Sequence, residues 1–238
     1  MKIIKRIYFI LLMILVTSAT KAQDTIQTIV SADIVNQYIW RGQDLGNVSI
    51  QPMLGIAWKG LQLTAWGSVG LSDPDDVKEI DLTVSYAVGG FNLGITDYWT
   101  TEGLDNKTRY FMYDAHKTNH LFEANIGYDF GFATLQWYTD FTGNDGVNGN
   151  GDRAFSSYFE VNVPFRIAKV DWTATAGGVP YSTSFYDTDK FAITNLALKA
   201  EKEIRISDSF RIPVFGQFVA NPHSQKAYLI FGISMHPL

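Results

Sequence analysis

The chain has 238 residues, 46% of them hydrophobic and 14% aromatic, with no cysteine and a formal net charge of -5. That acidity argues against nucleic acid, whose binding needs clustered Lys and Arg. The lack of cysteine leaves packing and backbone ladders to hold the fold.

Met1-Lys2-Ile3-Ile4-Lys5-Arg6, an apolar run from Ile7 to Val16, and then Thr20-Lys21-Ala22-Gln23 read as a basic n-region, a short h-region and a small-residue cleavage site. The expectation is a secretory signal peptide over residues 1–22 and a mature domain over 23–238. The apolar run is too short for a spanning helix, which needs about 20 residues. Removing it takes away Lys2, Lys5, Arg6 and Lys21 but no acid, leaving 15 basic against 24 acidic side chains, a net charge of -9. No later stretch approaches 18 consecutive apolar residues. Membrane insertion would therefore have to be as a barrel.

From Thr28 onward, apolar and polar side chains alternate in segments separated by turn residues. A period of two is the mark of a strand between two unlike environments. The predicted strands are Thr28–Arg41, Ile50–Trp58, Leu61–Gly70, Glu79–Val88, Phe91–Trp99 and His120–Tyr128. They continue as Phe132–Phe141, Ala154–Val163, Val170–Val179, Phe191–Ala200, Phe210–Val219 and Ala227–Met235, twelve in all. Most are close to the roughly 9–11 residues that a tilted strand needs to cross hydrocarbon.

The connections sort by parity. Lys59-Gly60, Gly89-Gly90 and the turn around Asp129-Phe130-Gly131 carry tight-turn chemistry. Pro164–Lys169 and Glu201–Ser209, on the same side, look somewhat longer. The intervening connections, Gly42–Ser49, Leu71–Lys78, Thr100–Asn119, Thr142–Arg153, Pro180–Lys190 and Ala220–Lys226, are polar. Outer-membrane barrels have short periplasmic turns and longer external loops, with an even strand count. The expected fold is thus all-β, an up-and-down antiparallel transmembrane barrel of about twelve strands in the cell outer membrane with both termini periplasmic. A soluble sandwich would show the same alternation with its faces reversed. Aromatics near strand ends (Tyr38, Trp40, Trp58, Tyr98, Trp99, Trp137, Phe141, Trp172, Tyr181) suggest interfacial girdles.

The segment Ser31-Ala32-Asp33-Ile34-Val35-Asn36-Gln37-Tyr38-Ile39-Trp40-Arg41-Gly42, followed by Ile50-Gln51-Pro52, resembles the opening of the TorF-like family of outer-membrane porins. There a strand ending in Tyr-x-Trp-Arg-Gly runs into a short loop and a Gln-Pro pair. Trp66-Gly67-Ser68 and Glu79-Ile80-Asp81-Leu82 are also similar to it. The resemblance implies membrane location and a porin-like role. The end departs from barrels that stop on an aromatic residue, since His236-Pro237-Leu238 follows Met235.

If the alternation holds, Asp33, Gln37 and Arg41 share a lumenal face of the first strand, joined by Asp81, Glu123, Asp140, Glu160 and Asp171. Charges lining a pore set ion preference, whereas charges facing lipid would cost about 2–4 kcal/mol at the midplane. One reading is a narrow, cation-favouring passage for small solutes or ions, with Arg41 as counter-charge. The other is a plugged lumen in which these groups form a structural network, since about twelve strands lie between filled and water-filled barrels.

Other motifs are weaker. Asn144–Asp152 offers alternating oxygens like a calcium loop but lacks the closing Glu, and a surface loop is the simpler reading. His116, His120 and Asp114 could suggest a metal, but no helix aligns them. None of the four histidines has a recognisable nucleophile context, which argues against a lipid-hydrolysing barrel. The sequence-level expectation is a passive porin with no catalytic residue, cofactor or metal, contacting outer-membrane lipid and small solutes or ions. The alternatives are a barrel enzyme acting on lipid, and a structural or surface-binding barrel with a plugged lumen. Oligomeric state is not legible in the sequence.

Overall fold

A computed structural model describes residues 25–72, 76–102, 108–114, 117–206 and 211–235. The expected signal peptide lies outside the described residues, as do His116 and residues 236–238.

In chain order the strands are β1 (Gln27–Val35), β2 (Tyr38–Trp40), β3 (Gln43–Gly46), β4 (Ser49–Trp58), β5 (Leu61–Gly70), β6 (Val77–Val88) and β7 (Phe91–Glu102). They continue with β8 (His120–Asp129), β9 (Thr134–Gly143), β10 (Ser157–Ile167), β11 (Val170–Val179), β12 (Ala192–Arg205), β13 (Arg211–Asn221) and β14 (Lys226–Met235). A short 3-10 helix, Ser184–Tyr186, precedes β12. All except β2 and β3 form one closed antiparallel barrel of twelve strands in meander order, sealed where β1 pairs β14. The strands β2 and β3 pair only with each other.

The short connections arise from residues that accept positive φ. At Lys59-Gly60 and Gly89-Gly90 both central residues do so, which matches the right-handed twist of the flanking strands. The β10–β11 connection is as tight, correcting the longer Pro164–Lys169 expected. Ala168 and Lys169 take φ of 53° and 63° without glycine. Pro164 lies within β10, opposite Thr173 of β11 and past the last β9 pair at Asn162–Thr134, so its missing N–H leaves no ladder bond unmade. Likewise β12 runs on to Arg205, past the Ala200 end expected.

Cross-strand rows show how the two faces are used. Thr64, Thr83, Thr96, Glu123 and Asp140 lie opposite one another from β5 to β9, and the Thr83 and Thr96 hydroxyls bond at 3.0 Å. One residue away, Leu63, Val84 and Ile95 form the matching row, each about half exposed. The polar row faces the lumen and the apolar row faces outward. Leu54, Leu198, Leu229 and Phe231 carry the outward apolar band round the barrel. A soluble barrel would bury these side chains; a continuous apolar outer wall around a polar interior suits hydrocarbon. The protein is a membrane β-barrel.

The first strand departs from expectation. It leaves the wall after Val35, and the chain turns inward as the β2–β3 hairpin before rejoining the wall at Ser49. Asn36 marks the exit, accepting from the Phe231 N–H at 2.6 Å and donating its side-chain amide to the Leu229 carbonyl. A single Thr28–Arg41 strand is ruled out. Gly42 explains why the hairpin closes where it does: its φ is +81°, and a Cβ there would overlap the Thr194 carbonyl oxygen.

Candidate functional site

The hairpin carries Arg41 into the lumen. Its side chain, 7% exposed, donates to both carboxylate oxygens of Glu123 on β8, at 2.5 and 2.9 Å. It also donates to the Tyr186 hydroxyl at 2.8 Å. Burial pushes the Tyr186 phenol up, so that it meets the guanidinium as a neutral hydroxyl. The guanidinium carbon lies 4.2 Å from the Trp40 ring centre, 4.1 Å from Tyr138 and 4.7 Å from Tyr158. Trp40 and Tyr186 stack with ring centres 6.1 Å apart. A planar cation suits this cage because it bonds in its plane and stacks on its faces.

A second tether holds the other face of the hairpin. The Tyr38 hydroxyl donates to Glu79 of β6 at 2.8 Å, and its ring packs on Trp66 of β5. Gln37 donates to Asp44 at 3.1 Å and braces the hairpin itself. Asn221 at the end of β13 donates to the Gly42 carbonyl at 3.1 Å. The hairpin is thus attached to several separate parts of the wall, and it narrows the lumen at its level. Between it and β6–β8 lies a cavity of about 170 Å³, lined in part by Trp40, Gln43, Glu79, Tyr98 and Phe185.

The predicted lumenal residues are distributed unevenly. Glu123, Asp140 and Arg41 come together, Glu123 directly opposite Asp140 in the ladder. Both carboxylate oxygens of Asp140 are buried without a hydrogen-bond partner among the described residues. Glu160 accepts from Tyr158 at 2.7 Å and Asn162 at 2.8 Å, so it belongs to a satisfied network beside the cage. Asp81 lies opposite Tyr98 and Trp66 on the lumenal side, next to Glu79. Asp33 shares the lumenal face of β1, half-buried. Gln37 and Arg41 are not part of that strand: both belong to the inward segment after Val35. Asp171 has lumenal parity but sits at the short-turn rim, its side chain 62% exposed beside Arg166.

The cage tyrosines were missed in the sequence. Tyr38, Trp40 and Tyr98 read there as girdle aromatics, yet all three point into the lumen, with Tyr98 donating to Glu123 at 2.9 Å. A usable signal was present, since Tyr138 and Tyr158 fall on the polar parity of their strands, two residues from Asp140 and Glu160. The aromatic rim is real elsewhere: Phe91 packs on Tyr128, and Phe165 stacks on Trp172, at the short-turn end.

His120 adopts an arrangement the sequence did not suggest. It lies on the outward parity of β8, opposite Trp99, yet is fully buried. Residues 108–114 fold across it. Its Nδ1 is 2.7 Å from Asp97, its Nε2 2.5 Å from the Tyr110 carbonyl oxygen, and the Tyr113 ring stacks on it at 4.2 Å. Asp114 is exposed and is not among these partners. Among the described residues no group of three or more His, Cys, Asp or Glu side chains could hold a metal ion. The glycine-rich Asn144–Asp152 loop is ordered by its own bonds, with the Asn148 side chain accepting from the Asn150 and Asp152 N–H groups.

No family model matches the chain, and no curated relative matches it. Among solved structures, a chain from a study of the in-meso crystallization of membrane proteins aligns over 88% of this chain and 83% of its own, at 8% identity and a TM-score of 0.39. CdiB from Acinetobacter baumannii aligns over 90% of this chain and 60% of its own, at 12% identity and a TM-score of 0.38. Likenesses this remote carry no weight beside the strand pairing itself.

Proposed function

We propose that this protein is an outer-membrane channel for small polar solutes or ions, narrowed by the β2–β3 hairpin and favouring cations. In this reading the chain is exported, its termini are periplasmic, its long loops face outward, and passage is passive, without cofactor or turnover. The observation that carries the reading is a polar tube narrowed by a hairpin that is not part of its wall. The hairpin is tethered only by non-covalent contacts, within walls bearing Thr64, Thr83, Thr96, Asn125, Gln136, Asn162 and Thr175 on the lumenal parity. Carboxyl groups at Glu79, Asp81, Glu123, Asp140 and Glu160 line the lumen near the hairpin, an acidic lining of the kind that favours cations. The resemblance to TorF-like porins supports the same reading, and its Tyr38-x-Trp40-Arg41-Gly42 segment is the obstruction itself.

A second reading is a permanently closed barrel whose lumen is structural. The engagement of Arg41 by Glu123, Tyr186 and three aromatic faces favours it. Planar-bilayer recording separates the two. A channel gives discrete conductance steps that grow in Arg41→Ala and become less cation-selective in Asp81→Asn. Silence in the wild type, in Arg41→Ala and after deletion of residues 37–47 would establish the closed barrel.

A further inference from the structure

The wall is incomplete at its seam. Here β14 pairs β1 only from Gly232 to Met235, because β1 leaves the wall after Val35. Residues 226–231 of β14 have no neighbouring strand on that side among the described residues. An open edge in hydrocarbon is costly unless its polar groups find partners. Asn36 supplies them: its backbone N–H donates to the Phe231 carbonyl at 3.1 Å, its side chain accepts from the Phe231 N–H, and its amide donates to the Leu229 carbonyl at 3.1 Å. The wall thus lacks a strand here, with the Leu229 carbonyl and both backbone groups of Phe231 bonded by Asn36.

What remains is an apolar groove of about 610 Å³. Ile34, Val214, Phe231 and Ile233 line it from the lipid-facing parity, while Val35 and Phe215 line it from the lumenal parity. The groove thus touches residues of both parities at the level where the wall loses its strand beyond Val35. Behind it the lumen changes character. Val35, Ala197, Val219 and Ile230 form a buried apolar cluster, packed by Ile39, Phe215 and Tyr228, in an interior otherwise rich in hydroxyl, amide and carboxylate groups. Of the two glycines here, Gly216 leaves space free and Gly232 gives its place to a neighbouring ring. At Gly216 a Cβ would meet nothing closer than Phe231 at 3.7 Å, and at Gly232 the absent side chain is replaced by the Phe215 ring.

We propose that this seam is a lateral binding site for one acyl chain of a membrane amphiphile, which enters from the bilayer between β14 and β1 and reaches the apolar cluster inside. The occupant follows from the position. The groove opens among lipid-facing side chains, its lining apart from Asn36 is apolar, and Asn36 bonds the exposed groups of Leu229 and Phe231, which suits an acyl chain. The head group would remain where the lumen or the membrane surface is polar.

The test uses a diazirine-bearing palmitic acid incorporated with the full barrel in phosphatidylethanolamine and phosphatidylglycerol vesicles. After illumination, adducts are expected on peptides containing residues 34–36, 214–216 and 230–233. Gly216→Phe, which fills the groove from outside, loses them while keeping the heat-modifiable migration of a folded barrel. In an otherwise cysteine-free chain, Asn36→Cys with Phe231→Cys staples the seam: adducts on Val35 and Phe215 disappear when oxidised and return on reduction. Adducts spread evenly around the outer wall overturn the proposal, as does labelling unchanged by Gly216→Phe. Lumenal adducts that persist with the staple formed overturn the lateral route.

Discussion

Arg41 and Glu123, far apart in sequence, form a two-pronged ion pair at 2.5 and 2.9 Å in the middle of the barrel, both side chains at least nine-tenths buried. A buried pair of this kind adds little compared with an apolar filling, but breaking one partner leaves the other charge stranded, typically at about 3–5 kcal/mol. Its position gives that cost a mechanical meaning, since Arg41 belongs to the hairpin and Glu123 to the wall. Arg41→Ala is expected to lower the temperature at which the barrel loses its fast-migrating form on unboiled gels, and to increase bilayer conductance. A variant that unfolds earlier with no gain in conductance would separate the tether from the obstruction.

Glu123 and Asp140 face each other in the ladder, yet substitution should act in opposite directions. Glu123→Gln removes the acceptor that Arg41 grips and is expected to destabilise the barrel. Asp140→Asn removes a buried carboxylate with no partner and gives its neighbour Glu123 an amide to accept from, so stability should hold or rise by about 1 kcal/mol. Urea unfolding of the two variants in the same lipid vesicles would show the contrast. Equal losses in both would mean that Asp140 is partnered in the membrane.

The strap over His120 is held at that ring by Asp97 on one side and the Tyr110 carbonyl on the other, with further contacts from Thr108 to Thr101 and from Tyr110 to Trp99. Arg109 and Lys117, at its two ends, are exposed. His120→Ala should free the strap and speed trypsin cleavage after Arg109 and Lys117. In intact cells the same cleavage would report that the long loops face outward. Cleavage only after permeabilisation would invert the orientation proposed here.

The two faces of one strand should respond differently to change. Val84, on the outward row between Leu63 and Ile95, replaced by Arg should cost about 2–4 kcal/mol of folding stability in lipid. Thr83→Ser, next to it but facing the lumen, should stay within about 0.5 kcal/mol. Comparable losses from both would contradict the assignment of faces.

Much of the fold was legible in the sequence because strand alternation is a local property. Ile80, Leu82, Val84 and Tyr86 face one way wherever the strand ends up, and Gly60 and Gly90 force tight turns whatever surrounds them. That pattern, with the parity of the connections, determined a twelve-stranded meander and most of its boundaries. It could not say which face was the inside; only closure of β14 onto β1 decided that, by enclosing the polar rows and leaving the apolar ones outward. The same limit explains the misplaced first strand. Residues 28–41 alternate well enough for one strand, but Gly42 and Asn36 take their roles from Thr194, Phe231 and Leu229, which are distant in sequence. The carboxylates could be listed from the chain, yet their meaning depends on where Arg41 lands. Local periodicity fixes faces and turns; long-range packing decides what fills the space they enclose.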